Sequence, residues 1–473
     1  MSNLFHKLKP VVTALLFLTA GLYIGFTQET DDEFAEEFGD DEFTDETENE
    51  VGGIYLNGFI EYEQGGRIGT EGNYNDKWIM GNSRVRLSIS HLSEANSFYL
   101  KLDFIDDWVI QAQRVNIREA RIAFSPLTSM DMSIGKQVST WGVADMLFIN
   151  DLFPKNWVAN FLGQDIEDMK ETALSIRMTS YFDNAGFDVV YHPKFTPDIT
   201  PTGCRFSVYN PNNMIDPTQP VLITGADDCR QEFTTYPPRN DYASGELAFR
   251  LFSNIGSHGL AFYGYRGFFK NPKGLKLRED GIFETFYPKL NVYGVSAEGQ
   301  AGIGVYTAEY GYYESSEDKG GEFPLIENSL HKFLVGYRLD VSKNVSSGVQ
   351  WYMEQMDQYE EFEEGLLHML SNQLIADGIS ENDAEDIALE QDVYKYRKEE
   401  FHNTFTLRIT FKAQQETLWM NFFLYARPQD RDGFVKVDIR KRLDDHFEVI
   451  TGVNIFHGDH NFPDREFSML KND

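Results

Sequence analysis

The sequence predicts an all-β fold: a transmembrane, antiparallel, up-and-down β-barrel of about 16–18 strands with long extracellular loops and one helical-hairpin insertion. Three observations predict it: a period of two in the apolar residues, a polar but aromatic-rich composition, and connections that alternate between short and long. The period is clearest in NTFTLRITFKAQQETLWMNFFLY at 403–425. Phe405, Leu407, Ile409 and Phe411 alternate with Thr404, Thr406, Arg408, Thr410 and Lys412, and after 413–416 the pattern resumes with Leu418, Met420, Phe422 and Leu424. This is strand, tight turn, strand, with one apolar and one polar face. In a membrane barrel the apolar face meets lipid, and Arg408 and Lys412 meet the lumen. Aromatics make up 14% of the 473 residues while the mean hydropathy is −0.41, the average that alternating lipid-facing and lumen-facing residues produce.

At the amino end Lys7 and Lys9 precede the apolar run VVTALLFLTAGLYIGF. Residues 1–28 therefore read as a secretory signal peptide, with Ala20 and Thr27 as alternative cleavage points. No cysteine lies nearby to carry a lipoprotein anchor, and no later apolar stretch is long enough for a transmembrane helix. Residues 29–50 follow as an acidic, disordered periplasmic segment, and residues 51–473 as the barrel.

Alternating runs mark about seventeen strands, near 53–63, 81–90, 97–106, 115–125, 130–137, 172–182, 186–192, 244–253, 258–267, 290–299, 302–314, 329–340, 346–357, 401–412, 417–427, 432–442 and 446–456. Connections such as 126–129, 183–185, 254–257, 413–416 and 444–445 are short. Those at 64–80, 138–171, 193–243, 268–289, 315–328 and 358–400 are long. Short turns at one rim and long loops at the other are the organisation of outer-membrane barrels. An odd count, and a chain that stops at FSMLKND rather than on an aromatic-ended strand, indicate an absent last strand or one missed or merged within 193–243.

Carrying the lipid-out assignment along the chain places Arg84 and Arg86 inside, against Val85, Leu87 and Ile89 outside. It likewise places Arg121, Arg177, Arg250, Lys332, Arg338, Arg408, Lys412, Lys436, Arg440 and Arg442 inside. Fewer acids interleave: Asp103, Glu119, Glu246, Glu298, Glu309 and Asp438. Each base read singly is a cross-strand ion-pair partner; the set read together predicts a net positive lumen.

The formal charge of −33 opposes that expectation, but the acid is localised. Segment 29–50 carries thirteen acids and no base, and 357–400 carries fourteen acids against three bases, together −24 of the total. Whole-chain charge is thus a poor guide to what passes through the lumen. With Phe34, Phe38 and Phe43 set in acid, the first segment is a docking site for a periplasmic or inner-membrane partner, or a solvated spacer. In the second, Phe362, Leu366, Leu370 and Leu374 form a helical stripe, Gly378 a C-cap, and Ser380 with Asp383 the start of a second helix to about Arg397. LIADGISEND and QDRDG lack the spacing of a calcium loop, so no metal site is expected. Cys204 and Cys229, the only cysteines, lie in loop 193–243 and read as a disulfide in an oxidising compartment, or as two thiols.

The most specific stretch is GKQVSTWGVADMLFINDLFPKNW, 135–157, preceded by REARIAF at 118–124. With NIFHGD at 454–459, it resembles an uncharacterised family of Gram-negative outer-membrane β-barrels. Their hallmark is an Arg-Glu-Ala strand, a Gly-Arg-Gln-x-x-x-Trp-Gly strand end and an Asp-x-x-x-Pro loop. That family is similar to alginate-export-type and phosphate-selective porin barrels. Lys136 replaces the usual Arg. The resemblance implies a channel with anionic or amphiphilic cargo. It marks Trp141, Gly142, Asp145, Asp151 and Pro154 as a constriction loop, Trp141 reading either as its anchor or as an aromatic-girdle residue.

These expectations converge on an outer-membrane, porin-like channel passing a small anionic or amphiphilic solute. The alternatives are the barrel component of an export or lipid-transfer system docking an inner-membrane pump, and a loop-plugged structural or adhesin barrel. No nucleophile elbow, zinc-protease helix, dinucleotide fingerprint or phosphate loop occurs, and His91, His192, His331 and His402 lack a partner pattern; neither enzymatic activity nor a cofactor is expected. The expected partners are outer-membrane lipid, the barrel assembly machinery and the solute, with no nucleic acid; oligomeric state stays open.

Overall fold

Alternating apolar and polar side chains leave each strand with one face for lipid and one for the interior, and the strands resolve into a single 18-stranded antiparallel sheet. The computed structural model describes residues 23–26 and 53–471, apart from 69–77, 94–95, 211–221, 224–234, 237, 239–243, 278, 280–282, 396, 460–464 and 466. The acidic segment 29–50 and Cys229 lie outside the described residues.

The wall strands are β1 (Tyr23–Phe26), β2 (Ile54–Gly66), β3 (Trp78–Leu92), β4 (Asn96–Asp107), β5 (Ala112–Leu127), β6 (Met130–Gln137), β7 (Ala173–Phe182), β8 (Ala185–His192) and β9 (Glu246–Ile255). They continue as β10 (His258–Phe268), β11 (Lys289–Ala301), β12 (Gly304–Ser315), β13 (Leu330–Ser342), β14 (Val345–Met356), β15 (Phe401–Ala413), β16 (Leu418–Arg427), β17 (Asp432–Arg442) and β18 (Phe447–His457). Each pairs with its neighbour in sequence, and β1 lies between β18 and β2, so the pairing runs in a ring. The turns at 93–95, 128–129, 183–184, 256–257, 302–303, 343–344, 414–417 and 443–446 share one rim, and the long connections share the other. The eighteenth strand does not come from 193–243, whose described strands are two-residue pieces outside the wall. It comes from within the segment read as a leader. β1 is short: it meets β2 only from Gly58 to Ile60 and β18 only at Phe447 and Glu448.

Register fixes the two faces. One row across the wall reads Tyr337, Val349, Leu407, Leu424, Val435, Ile455. The adjoining row reads Gly348, Arg408, Phe423, Lys436, Asn454. Val349 is 50% and Ile455 57% exposed, whereas Phe423 is buried, so the apolar row is the outer one. A one-residue slip would exchange the rows, which is why this register is strongly specified.

Insertion 358–400 forms the expected hairpin, α3 (Tyr359–Ala376) and α4 (Glu381–Glu390) in an order completed below by two lumen helices numbered first in the chain. Phe362, Leu366 and Leu370 are buried, and Gly378 takes a left-handed φ of 95° just past the end of α3. The second helix stops at Glu390 instead of running to Arg397. Only Ala384 and Ala388 give it a buried face; beyond them Gln391 turns extended, and Arg397 reaches back to Glu363. Ser380 sits at the N-cap, but its hydroxyl donates to the Asp383 carboxylate at 2.6 Å rather than capping the backbone.

Candidate functional site

The connection between β6 and β7 does not stay at the rim. It folds across the inner face of the sheet, carrying the short helices α1 (Trp157–Leu162) and α2 (Ile166–Met169), and both sides of the wall hold it.

On the β3–β5 side the grip is ionic and buried. Arg84 donates to both Asp168 oxygens at 2.6 and 2.7 Å and to Glu61 at 2.8 Å. Arg86 takes Asp103 at 2.7 and 2.9 Å, Glu167 at 2.9 Å and Asp168 at 3.0 Å. Lys101 bridges Glu167 at 2.7 Å and Glu119 at 3.2 Å. Burial by itself would raise the two α2 carboxyls, but the cations overcome it: Lys101 and Arg86 hold Glu167 down at about 2, and Arg84 with Arg86 holds Asp168 well below the ordinary range.

The Arg-Glu-Ala motif explains how so much charge reaches one helix. Lys101 pairs with Glu119 and Leu102 with Ile117, so Arg118 is an extra residue in β5. Such a bulge turns successive side chains to one face. Arg118 and Glu119 both point inward, and Arg118 donates to the carbonyls of Glu167 (2.5 Å) and Lys170. Lys136 reaches over the same irregularity to the Ile117 carbonyl at 2.9 Å, and Gln137 links Ser133 and Ser175. Just before them Gly135, φ 147°, lies so near β5 that a Cβ would stand 2.1 Å from the Ala120 carbonyl oxygen. No other residue type fits there.

On the far side, Arg408 donates to Asp145 at 2.8 Å, Arg440 pairs with Asp165, and Asn454 donates to the Phe161 carbonyl at 2.7 Å. From β12, Glu309 accepts the backbone N–H groups of Val143 (2.6 Å), Ala144 (3.0 Å) and Asn150 (3.1 Å). Gly142, φ 95°, makes this possible: a Cβ would stand 3.1 Å from the Glu309 carboxylate on a backbone that L side chains avoid. Trp141 is 6% exposed, donates to Asp188 at 3.1 Å and packs edge-on against Phe153. It anchors the loop from within and is no girdle residue. Asp151 accepts from Thr140 and pairs with Lys155 at 2.9 Å; the Pro154 carbonyl accepts the Glu171 N–H at 3.0 Å, tying the middle of the loop to its end.

The structure thus brings the loop residues Trp141, Gly142, Asp145, Asp151 and Pro154 onto the same inner face as Arg84, Arg86, Arg177, Arg408 and Arg440; Arg177 shares Asp188 with Trp141. Arg121 lies over Tyr99 at 5.4 Å and Arg250 over Phe252 at 4.9 Å, each on the wall. Arg338 faces Gly348, and Lys412 lies by the short-turn rim over Trp419 at 4.2 Å and near Glu416. The inward acids that the sequence reading left out include Glu61, Glu63, Asp107, Asp188, Glu354, Asp432 and Glu448. All sit at inward positions that the same alternation marks. The loop's Asp165, Glu167 and Asp168 carried no such signal. Cys204 is in a disulfide, and Cys229 is the only other cysteine of the chain.

A second cluster lies toward the long-loop end of β16–β18. Phe161, Phe206, Phe423, Phe434, Phe467 and Leu470 are buried together, with Tyr425 and Phe456 partly buried against them. The carboxy-terminal segment turns into the mouth, where the Phe467 N–H donates to Asp432 at 3.0 Å.

No family model and no curated protein matches the chain. Solved structures overlap it distantly. OmpT, an outer-membrane protein of Vibrio cholerae, shares 10% identity at a TM-score of 0.41, covering 86% of this chain and 99% of that one. The outer-membrane channel DcaP of Acinetobacter baumannii shares 9% at 0.40, covering 86% and 98%. OccK11 of Pseudomonas aeruginosa shares 7% at 0.43, covering 86% and 90%. The fold stands on the chain's own strand pairing, and overlaps of this size add no argument to it.

Proposed function

We propose that the protein is an outer-membrane, porin-like channel, and that it passes a small anionic or amphiphilic solute past loop 138–171. One observation carries the reading: a ring of antiparallel strands with an apolar outer row encloses a charged inner face, and one loop crosses that face. A strand ring pairs its backbone groups from strand to strand, here everywhere but along the short β1 joint, and so suits the hydrocarbon layer. The similarity of the 115–157 motifs to alginate-export-type and phosphate-selective barrels supports the cargo class. Arg408, Lys436 and Arg440, on the less tightly latched side, are the residues that would give anions preference. In a planar bilayer the purified protein should conduct, with a reversal potential of anion-selective sign that moves toward cations in Arg408→Glu with Arg440→Glu. Absence of current at any voltage, or cation preference in the parent, would overturn this reading.

A further inference from the structure

We propose that the outer face of β10 and β11, near the long-loop rim, is a docking site for a phosphorylated, acylated glycolipid of the outer leaflet. Arg266 and Lys289 take a phosphate, and a notch over Gly264 takes an acyl chain. The proposal rests on the outer-membrane part of the reading above and adds a lipid ligand on the side of the wall away from the lumen.

Alternation fixes which side chains face out. On β10, Tyr263 and Tyr265 are buried inward, so Phe262, Gly264 and Arg266 lie on the outer face, with Phe262 58% exposed. On β11, Leu290 and Val292 are buried inward, so Lys289, Asn291 and Tyr293 lie on the outer face, with Tyr293 57% exposed. Arg266 pairs with Asn291 and Phe268 with Lys289, which makes Arg266 and Lys289 diagonal neighbours. Such positions stand about 7–8 Å apart, so two long basic side chains can close on one phosphate. Both are exposed, and among the described residues neither side chain makes a hydrogen bond or an ion pair. The outward acid of the same row, Glu314 opposite Asn291, is already engaged by Lys319.

The notch lies one step toward the membrane centre. Gly264 stands between Phe249 on β9 and Tyr293 on β11. A Cβ there would meet nothing within 4 Å, and Phe249 is 42% exposed, so two outward rings flank an open strip of backbone. An apolar gap directly below two cations matches an acyl chain below a phosphate headgroup. Charge along the rim selects this sector. Connection 268–289 carries five bases against three acids, whereas 138–171, 193–243, 315–328 and 358–400 each carry more acids than bases. An anionic leaflet is repelled along those connections and attracted here. Two cations suit a phosphomonoester, with its charge of about −1.5 to −2, better than the single charge of a phosphodiester. Long loops mark the outer side of the membrane, which assigns the site to the outer-leaflet glycolipid.

The test is native mass spectrometry of the detergent-solubilised full chain with three added lipids: diphosphorylated lipid A, the same lipid stripped of its phosphates, and phosphatidylglycerol. Lipid A should bind at least about tenfold more tightly than either of the others. Arg266→Gln with Lys289→Gln should lose about tenfold in lipid A affinity, and Gly264→Leu, which fills the notch, about threefold. Lys343→Gln, in a short-rim turn, should bind as the parent does. Equal binding of the phosphate-free lipid or of phosphatidylglycerol overturns the site, as does parental affinity in the folded double variant or in Gly264→Leu. A matching loss in Lys343→Gln overturns it too, since any lost positive charge would then suffice. Because binding needs no current, a conducting protein without this preference sinks the docking site alone. A non-conducting protein that shows it sinks only the channel reading.

Discussion

The two sides of the lumen wall carry similar ladders of bases and use them differently. On β3–β5, Arg84, Arg86 and Lys101 are gripped by carboxylates of the wall and of α2, with the arginine side chains under 8% exposed. On β15–β18, Arg408 and Arg440 each take one loop carboxylate at about a fifth exposed, and Lys436 takes none among the described residues. The first side holds the loop through buried ion pairs, the second through more exposed ones. Counting bases along strands cannot separate these roles, because the acids that decide between them arrive on a loop.

The largest expected effect breaks the fastened side. Arg86→Leu strands Asp103 without a cation and leaves Asp168 with Arg84 alone, and an orphaned buried carboxylate costs about 3–5 kcal/mol. Unheated gel samples should show loss of the folded, fast-migrating form. The outer face of β15 sets the next scale: Leu407→Arg should cost about 2–4 kcal/mol in urea titrations in vesicles. A cost near zero there would reverse the assignment of faces and the comparison with it.

Acid should loosen the fastened side selectively. Glu167 sits at about 2 when folded, below the usual carboxylate value, so its stabilisation is present above that usual value and lost as pH falls toward 2. Asp168 shifts the same way. With half of Glu167 exposed, the effect is softened by solvent. Conductance should step up below about pH 4 and recover on neutralisation; a flat trace to pH 2.5 would mean that α2 is not held by charge. The smallest effect belongs to the open side: Arg440→Leu, partnered by a half-exposed Asp165, should cost about 1 kcal/mol or less in the same urea titration.

Much of the wall was legible because period-two alternation in 403–425 or 432–442 admits one reading, and the short-turn rim follows from turn spacing. The apolar stripe of the hairpin was legible for the same reason at period 3.6. Its second helix was overextended because nothing local in 391–397 announces that Arg397 will prefer Glu363. Trp141, Gly142 and Asp145 were marked by motif, but that they cross the lumen rests on contacts more than a hundred residues away in sequence, such as Glu309 with Val143. The role of Arg118 was hidden because a bulge leaves no trace in a tally of alternating residues.

The ring of strands has one narrow joint. β2 and β18 run in the same direction, and an antiparallel neighbour for both is supplied by four residues, Tyr23–Phe26. Those residues lie between the two candidate leader-peptidase positions. A cut at Ala20 would leave the joint with the mature chain; a cut at Thr27 would carry it away and part the wall along β2 and β18. If residues 1–28 are removed as a leader, the place of the cut decides whether this joint is kept, and the intact mass of the membrane-extracted protein would report it.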